Sequence, residues 1–289
     1  MLLIADGGST KTCWCAVHND GKKEYFNTEG YNPYFVTSSY ISESLKKSIP
    51  AGLKVADVKQ INFYGAGYSE NTVTILSDAF NVVFPNAKAQ IELDLLAAAR
   101  ALLHNKAGFV SILGTGTNTG IYDGYKLIKI IDSLGFILGD EGSGSSIGKK
   151  LLGDYVRGFT PENIRKSFWN SYELSPDEII NRIYTQPLAN RFCAGFCRFV
   201  KENINEKYCY TLVKTSFQEL FTNLVSRYPN YQAYSFNCVG SVGYNFKTVL
   251  GEVASEFNME LGRILESPIE ELVNYHMNYG PGQIKPNSL

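Results

Sequence analysis

The stretch Leu2-Leu3-Ile4-Ala5-Asp6-Gly7-Gly8-Ser9-Thr10-Lys11-Thr12-Cys13-Trp14-Cys15-Ala16-Val17 decides the architecture, because an apolar run breaks at a Gly-rich turn and then resumes. Residues 2–5 read as one strand and 13–17 as a second. Asn19-Asp20-Gly21 marks a turn, and a third strand is predicted over 24–28. The product is an antiparallel meander whose first connection is rich in glycine. Ile41, Leu45 and Ile49 then recur every four residues, which predicts a helix from about Ser38 that Pro50 stops. A strand over 60–64, a helix over 70–81, a strand over 87–93 and a helix from Asp94 through Leu103 complete the unit.

A similar unit begins at 109. The strand Phe109 to Leu113 enters Gly114-Thr115-Gly116-Thr117-Asn118-Thr119, a second strand covers 120–122, Asp123-Gly124 turns, and a third strand spans 126–131. The two loops share Gly, Thr and Thr at matching places, and the element order agrees, which points to a duplicated domain. From 143 to 230 the pattern is mostly helical, with Pro161, Pro176 and Pro187 at breaks. A strand over 235–239 enters Gly240-Ser241-Val242-Gly243 and a helix through about 257. Residues 268–276 read as helical. The expected domains are 1–105 and 106–276, with 277–289 as a loose tail.

Working outward, the bulk numbers exclude several classes. The 289 residues are 44% apolar and 19% charged, which suits a well-cored α/β protein of about two domains. The 27 basic and 28 acidic residues give a net charge of −1, so nothing favours nucleic acid or an anionic membrane surface as partner. The start lacks a basic region before its short apolar run, and no 18-residue apolar stretch occurs, so neither a signal peptide nor a spanning helix is expected. The six cysteines form no CxxC pair and read as structural thiols of a reducing cytoplasm. His18, His104 and His276 lie near turns or helix ends and read as surface or capping residues.

Three Gly-rich loops each follow an apolar strand, at 6–12, 114–119 and 240–243. Glycine lets the backbone approach an anion and aim successive N–H groups at its oxygens, and Ser and Thr hydroxyls add donors. None of the three has the GxxxxGK[ST] spacing. The first two lead into strands, so none is a convincing dinucleotide fingerprint.

Asp6-Gly7-Gly8-Ser9-Thr10-Lys11-Thr12 resembles the first phosphate loop of the actin/hexokinase/Hsp70 superfamily. Leu113-Gly114-Thr115-Gly116-Thr117 resembles the second, and Cys238-Val239-Gly240-Ser241-Val242-Gly243 the adenosine loop. Gly139-Asp140-Glu141-Gly142-Ser143-Gly144-Ser145-Ser146-Ile147-Gly148 is similar to a segment of the BadF/BadG/BcrA/BcrD ATPase group, in its N-acetylglucosamine kinase-like branch. The resemblance covers about 1–276. It implies two ribonuclease H-like (actin-like ATPase) domains with a nucleotide cleft between them, ATP and Mg²⁺ as cofactors, and a homodimer.

On that resemblance Asp6 holds Mg²⁺ through water, although alone it reads equally as a turn-initiating acid. Gly7, Gly8, Ser9, Thr10, Lys11, Thr12, Gly114, Thr115, Gly116 and Thr117 would meet phosphate, with Gly240 and Ser241 at the nucleotide. Lys11 reads equally as a solvated loop lysine. Asp94, at a strand–helix junction, is either a helix cap or the general base that takes a sugar hydroxyl proton, and the two roles are compatible. Asn32, Asp140 and Glu141, with Thr115 and Gly116, would hold the sugar by hydrogen bonds. Asn32 before Pro33 also suits a plain turn, and acids at 140 and 141 also suit a helix N-terminus. The implied activity is ATP-dependent phosphorylation of an amino sugar, N-acetylglucosamine first, in the cytoplasm. An ATPase that activates a dehydratase and a sugar sensor without turnover remain open alternatives. The clustered-cysteine zinc motif of the repressor-related sugar kinases is absent.

Overall fold

A computed structural model describes residues 1–8, 10–31, 36–66 and 70–279. The chain divides into two compact units. Unit 1 holds residues 1–106 and 124–126 and the chain from Pro268 onward, and unit 2 holds 107–123 and 127–267.

Unit 1 is built on strands β1 (Leu2–Gly7), β2 (Lys11–Val17), β3 (Lys23–Glu29), β4 (Gln60–Gly65) and β5 (Lys88–Leu93) in the order β3-β2-β1-β4-β5. β1 pairs antiparallel with β2 and β2 with β3, whereas β4 and β5 join in parallel. Its helices are α1 (Ser38–Ser48), α2 (Glu70–Val83) and α3 (Asp94–Leu103). Trp14 anchors the core on one face of this sheet. It stacks on Phe26 at 5.7 Å, meets Phe80 edge-on, and its indole N–H donates to Thr28 Oγ1 at 3.2 Å. Because α1 ends at Ile49, whose φ/ψ of −64°/129° is the extended form that a following proline favours, Pro50 stops the helix as the sequence predicts.

Unit 2 repeats the plan. Strands β6 (Gly108–Leu113), β7 (Thr117–Tyr122), β8 (Leu127–Ile131), β9 (Phe236–Val239) and β10 (Leu261–Leu265) lie in the order β10-β9-β6-β7-β8. Here too the first three strands form an antiparallel meander and the last two join in parallel. The duplicated domain read from the two Gly-rich loops is therefore present in the topology.

Both loops prove shorter than predicted. β1 runs to Gly7 and β6 to Leu113, while Lys11-Thr12 and Thr117-Asn118-Thr119 already belong to β2 and β7. β-Branched threonines favour the pleated backbone, so the strands reach up to the glycines. Strand β10 was not predicted. Gly262 interrupts its alternation, yet a Cβ there would lie 2.3 Å from Asn237 Oδ1, so glycine permits the close pairing with β9.

The helical region of unit 2 comprises α4 (Gly135–Leu138), α5 (Gly144–Arg157), α6 (Glu162–Tyr172), α7 (Pro176–Thr185), α8 (Ala189–Gly195), α9 (Cys197–Glu202) and α10 (Lys207–Asn223). α11 (Ser241–Asn245) and α12 (Lys247–Glu256) connect β9 to β10. Pro161 and Pro176 stand at helix starts, the latter inside a capping box formed by Ser175 and Glu178.

The last helix, α13 (Ile269–Asn278), departs from the expected boundary at 276. It packs on α3, β1 and β2 and so belongs to unit 1, although the chain reaches it from β10. Of its buried residues, Ile269, Leu272, Val273 and His276 form one stripe at helical spacing, and α3 is the element that α13 contacts most. His276, read as a surface or capping residue, lies in the last turn of α13 and is 9% exposed. Of the expected tail, residues 280–289 lie outside the described residues. Among the described residues no helix is long and apolar enough to cross a membrane, and all six cysteines are free thiols.

Candidate active site

In unit 1 the first Gly-rich turn and the N-terminus of α3 place two carboxylates together. Asp6 ends the buried run Leu3-Ile4-Ala5 of β1, and Gly8 N–H closes the turn on Lys11 O at 3.0 Å. Gly7 is confined, since a Cβ there would lie 2.9 Å from Phe63 and from Tyr64 O. Asp94 opens α3 directly after β5, and its Oδ1 accepts from Leu95 N–H at 2.7 Å. Burial first, and the Asp94 charge second, push the Asp6 carboxyl up to about 7. Two acids that resist sharing negative charge form a donor set that a divalent cation relieves. Among the described residues no three His, Cys, Asp or Glu side chains cluster as a metal cage.

Thr10 and Lys11 are exposed beside this turn, whereas Thr12 is fully buried on the Trp14 face of β2. Ser9 and Asn32, both expected at the site, lie outside the described residues.

In unit 2 three motifs that are distant in sequence meet. The 114–116 turn closes through Gly114 N–H to Gly116 O at 3.0 Å. The 139–148 segment lies along it, with Gly144 N–H donating to Gly114 O at 2.8 Å and Ser145 N–H to Thr115 O at 3.0 Å. Asp140 is 7% exposed and adopts φ +59°, a conformation that costs free energy in a non-glycine residue. Its Oδ1 accepts from Thr117 N–H at 3.0 Å, and a Cβ on Gly116 would lie 3.1 Å from its carboxylate. Burial raises the Asp140 pKa while the Thr117 amide opposes that rise. Asp140 thus braces the second loop. Thr117 Oγ1 donates to Glu141 O at 2.6 Å, and Glu141 Oε1 accepts from Asn223 Nδ2 at 2.8 Å.

The third loop packs against the second. Gly240 adopts φ +125°, and a Cβ there would lie 2.3 Å from Leu113 O and 3.2 Å from Gly114 N. Beyond it, Ser241, Val242, Asn245 and Phe246 line one wall of an open groove of about 640 Å³. Ala194, Cys197, Arg198 and Lys201, from the end of α8 and from α9, form the opposite wall. Sequence reading missed this wall, because residues 194–201 carry no motif. The one local signal is Gly148 on α5, where a Cβ would lie 1.8 Å from Cys193 O, so that glycine lets α8 approach.

Gly240→Ala is expected to destabilise the protein by about 2–4 kcal/mol, through strain at positive φ and collision with Leu113 O. Gly114→Ala, where nothing lies within 4 Å, is expected to change stability by less than about 1 kcal/mol. Urea unfolding of both variants checks the contrast, and equal losses would refute the close approach of the two loops.

The chain is similar to a solved structure of a candidate N-acetylglucosamine kinase from Porphyromonas gingivalis. Identity is 35%, over 97% of this chain and 100% of that one, with a TM-score of 0.92. A candidate N-acetylglucosamine kinase from Chromobacterium violaceum is 14% identical over 95% of this chain and 98% of that one, at TM-score 0.69. A glucokinase from Streptomyces griseus, solved with glucose and AMPPNP, is 14% identical over 95% and 97%, at TM-score 0.54. The last two likenesses establish the fold, two actin-like ATPase domains. No protein-family model and no curated protein matches the chain.

Proposed function

The chain belongs to the N-acetylglucosamine kinase-like branch of the actin/hexokinase/Hsp70 superfamily, and from that premise we propose that it transfers the γ-phosphoryl group of ATP to a hydroxyl of an amino sugar. N-acetylglucosamine is the first acceptor to consider, as the Porphyromonas gingivalis protein carries that assignment. The observation that supports this reading best is the electrostatic pairing of Asp6 with Asp94 beside a Gly-rich turn.

In the proposed reaction the sugar oxygen attacks the γ-phosphorus and its proton passes to the Asp94 carboxylate. The bond from the γ-phosphorus to the β–γ bridging oxygen breaks, and ADP leaves with that electron pair. Mg²⁺, when bound, neutralises charge on the phosphate oxygens, and Asp6 would hold it through water. Backbone N–H groups and hydroxyls of Gly7, Gly8, Thr10, Thr115 and Thr117 would orient the phosphates, with Lys11 adding charge. The groove beside Gly240 and Ser241 would take the adenosine part. Asp140 and Glu141 would meet the sugar with whatever acceptor capacity their loop bonds leave. Little covalent chemistry is asked of the protein, so positioning carries most of the rate.

ADP release with Mg-ATP across free sugars tests the reading. Release stimulated by N-acetylglucosamine or a related amino sugar is expected. Release that no sugar stimulates would remove the kinase assignment.

A further inference from the structure

Unit 1 contains a buried polar chain that the proposed reaction does not use. Arg100 Nη1 on α3 donates to Tyr64 Oη at 2.5 Å, and Tyr64 Oη lies 2.8 Å from His276 Nε2 on α13. Tyr64 is 1% exposed and His276 is 9% exposed. The Arg100 guanidinium also lies over two rings, 5.6 Å from the Tyr64 centroid and 5.3 Å from that of Tyr275. Further along, His104 pairs with Glu271 at 3.2 Å and stacks on Tyr279 at 5.1 Å.

The chain has one internally consistent proton order. Arg100 donates to the Tyr64 oxygen, which leaves the Tyr64 hydroxyl hydrogen for His276 Nε2 and puts the imidazole proton on Nδ1. Burial keeps Tyr64 protonated, pushing its pKa up to about 12. Burial, with the Arg100 charge second, lowers His276 to about 4 and keeps it neutral.

Its location gives the chain a consequence. Tyr64 stands directly opposite Asp6 in the β1–β4 register. Arg100 lies six residues after Asp94 on the same helix, a rise of about 9 Å. The chain therefore ties the helix that carries one acid to the strand pair that carries the other. Apolar packing alone lets a helix roll, and a roll of about 10° moves a carboxylate some 5–6 Å from the axis by about 1 Å. Hydrogen bonds through a fixed guanidinium fork are directional and resist that roll.

We infer that Arg100, Tyr64 and His276 are positioning residues that fix the roll of α3 and so hold the Asp94 carboxylate in place relative to Asp6. The inference rests on the reading of Asp94 as the base. A displacement of about 1 Å at a reacting group can cost about 100-fold in rate.

Tyr64→Phe keeps the ring and removes the oxygen that links the two helices. Its kcat is expected to fall about 10- to 100-fold, with KM for ATP and sugar within about twofold of wild type. In an Asp94→Asn background the same change is expected to cost less than about twofold, because a base already removed cannot be misplaced. Wild-type kcat in Tyr64→Phe, or a loss that multiplies fully in the double variant, would overturn the inference. Should Tyr64→Phe lack a cooperative unfolding transition, the same cycle on Arg100→Lys decides by the same outcomes. Hydrogen exchange gives a readout independent of turnover, with amides 98–102 of α3 exchanging faster in the variant while β6 and β7 stay unchanged. A wild type that no sugar stimulates would remove the kinase reading alone. Exchange then decides, unchanged protection of α3 counting against the positioning chain and selective loss supporting it.

Discussion

Asp94→Asn is expected to lower kcat for sugar phosphorylation by about 10²- to 10⁴-fold, the usual contribution of a general base. KM for ATP should stay within about threefold. The substitution separates the two roles the position suggests. An asparagine has the same shape, and its amide oxygen can still accept from Leu95 N–H, the bond that Asp94 Oδ1 makes at 2.7 Å. The helix start therefore survives, and only the capacity to take a proton is lost. Asp94→Ser retains a short side-chain oxygen at the first helical position without basicity and should be equally inactive. Steady-state rates with the stimulating sugar, beside the melting temperature of each variant, provide the check. The N-cap of α3 is Leu93, without a side-chain capping bond, so the cap reading of Asp94 does not hold. Full activity in Asp94→Asn would leave Asp94 as a first-turn acid that accepts from Leu95 N–H and would withdraw its role as base.

Nine of the ten described strands were legible because they write themselves in local signals. Apolar runs of strand length, a Gly-rich turn after each first strand, and Asp-Gly or Asn-Asp-Gly at the next connection occur in the same order twice. The start of α3 was legible for a similar reason, since an acid at the end of an apolar strand is a boundary signal. What escaped depended on contacts between distant residues. Gly262 looks like a strand breaker until Asn237 is seen against it. The unit to which α13 belongs follows from the partner of its apolar stripe, which chain order does not reveal. Tyr64 and His276 are 212 residues apart, and neither carries a motif. Asp140 was legible as an acid in a Gly-rich segment, yet its hold on the Thr117 amide needed the fold.

Asp6→Asn should separate stability from activity more sharply still. The folded chain holds the Asp6 carboxyl near 7 against an ordinary value of 3.8, so it binds a proton more readily than the unfolded chain does between those values. The sign follows directly. Below pH ~4 the group is neutral in both states and costs nothing. As pH rises toward 7 the folded state loses stability, and above about 7 the full cost of an ionised, partly buried acid beside Asp94 is present. Discounted for partial exposure, that cost is about 1–2 kcal/mol, and a neutral amide removes it. In chelator without nucleotide, Asp6→Asn should melt about 2–6 °C above wild type at pH 8, and the gap should close near pH 4. With Mg-ATP and sugar it should turn over at least about 100-fold more slowly, and Mg-ATP should raise its melting temperature less than that of wild type. Because the Asp94 charge is the second cause of the Asp6 shift, Asp94→Asn should already relieve part of this strain. The two stabilising effects should then sum to less than their separate values. A variant no more stable than wild type at pH 8, or an additive pair, would show that the two carboxylates do not oppose one another. The electrostatic case for a cation at this site would fall with that result.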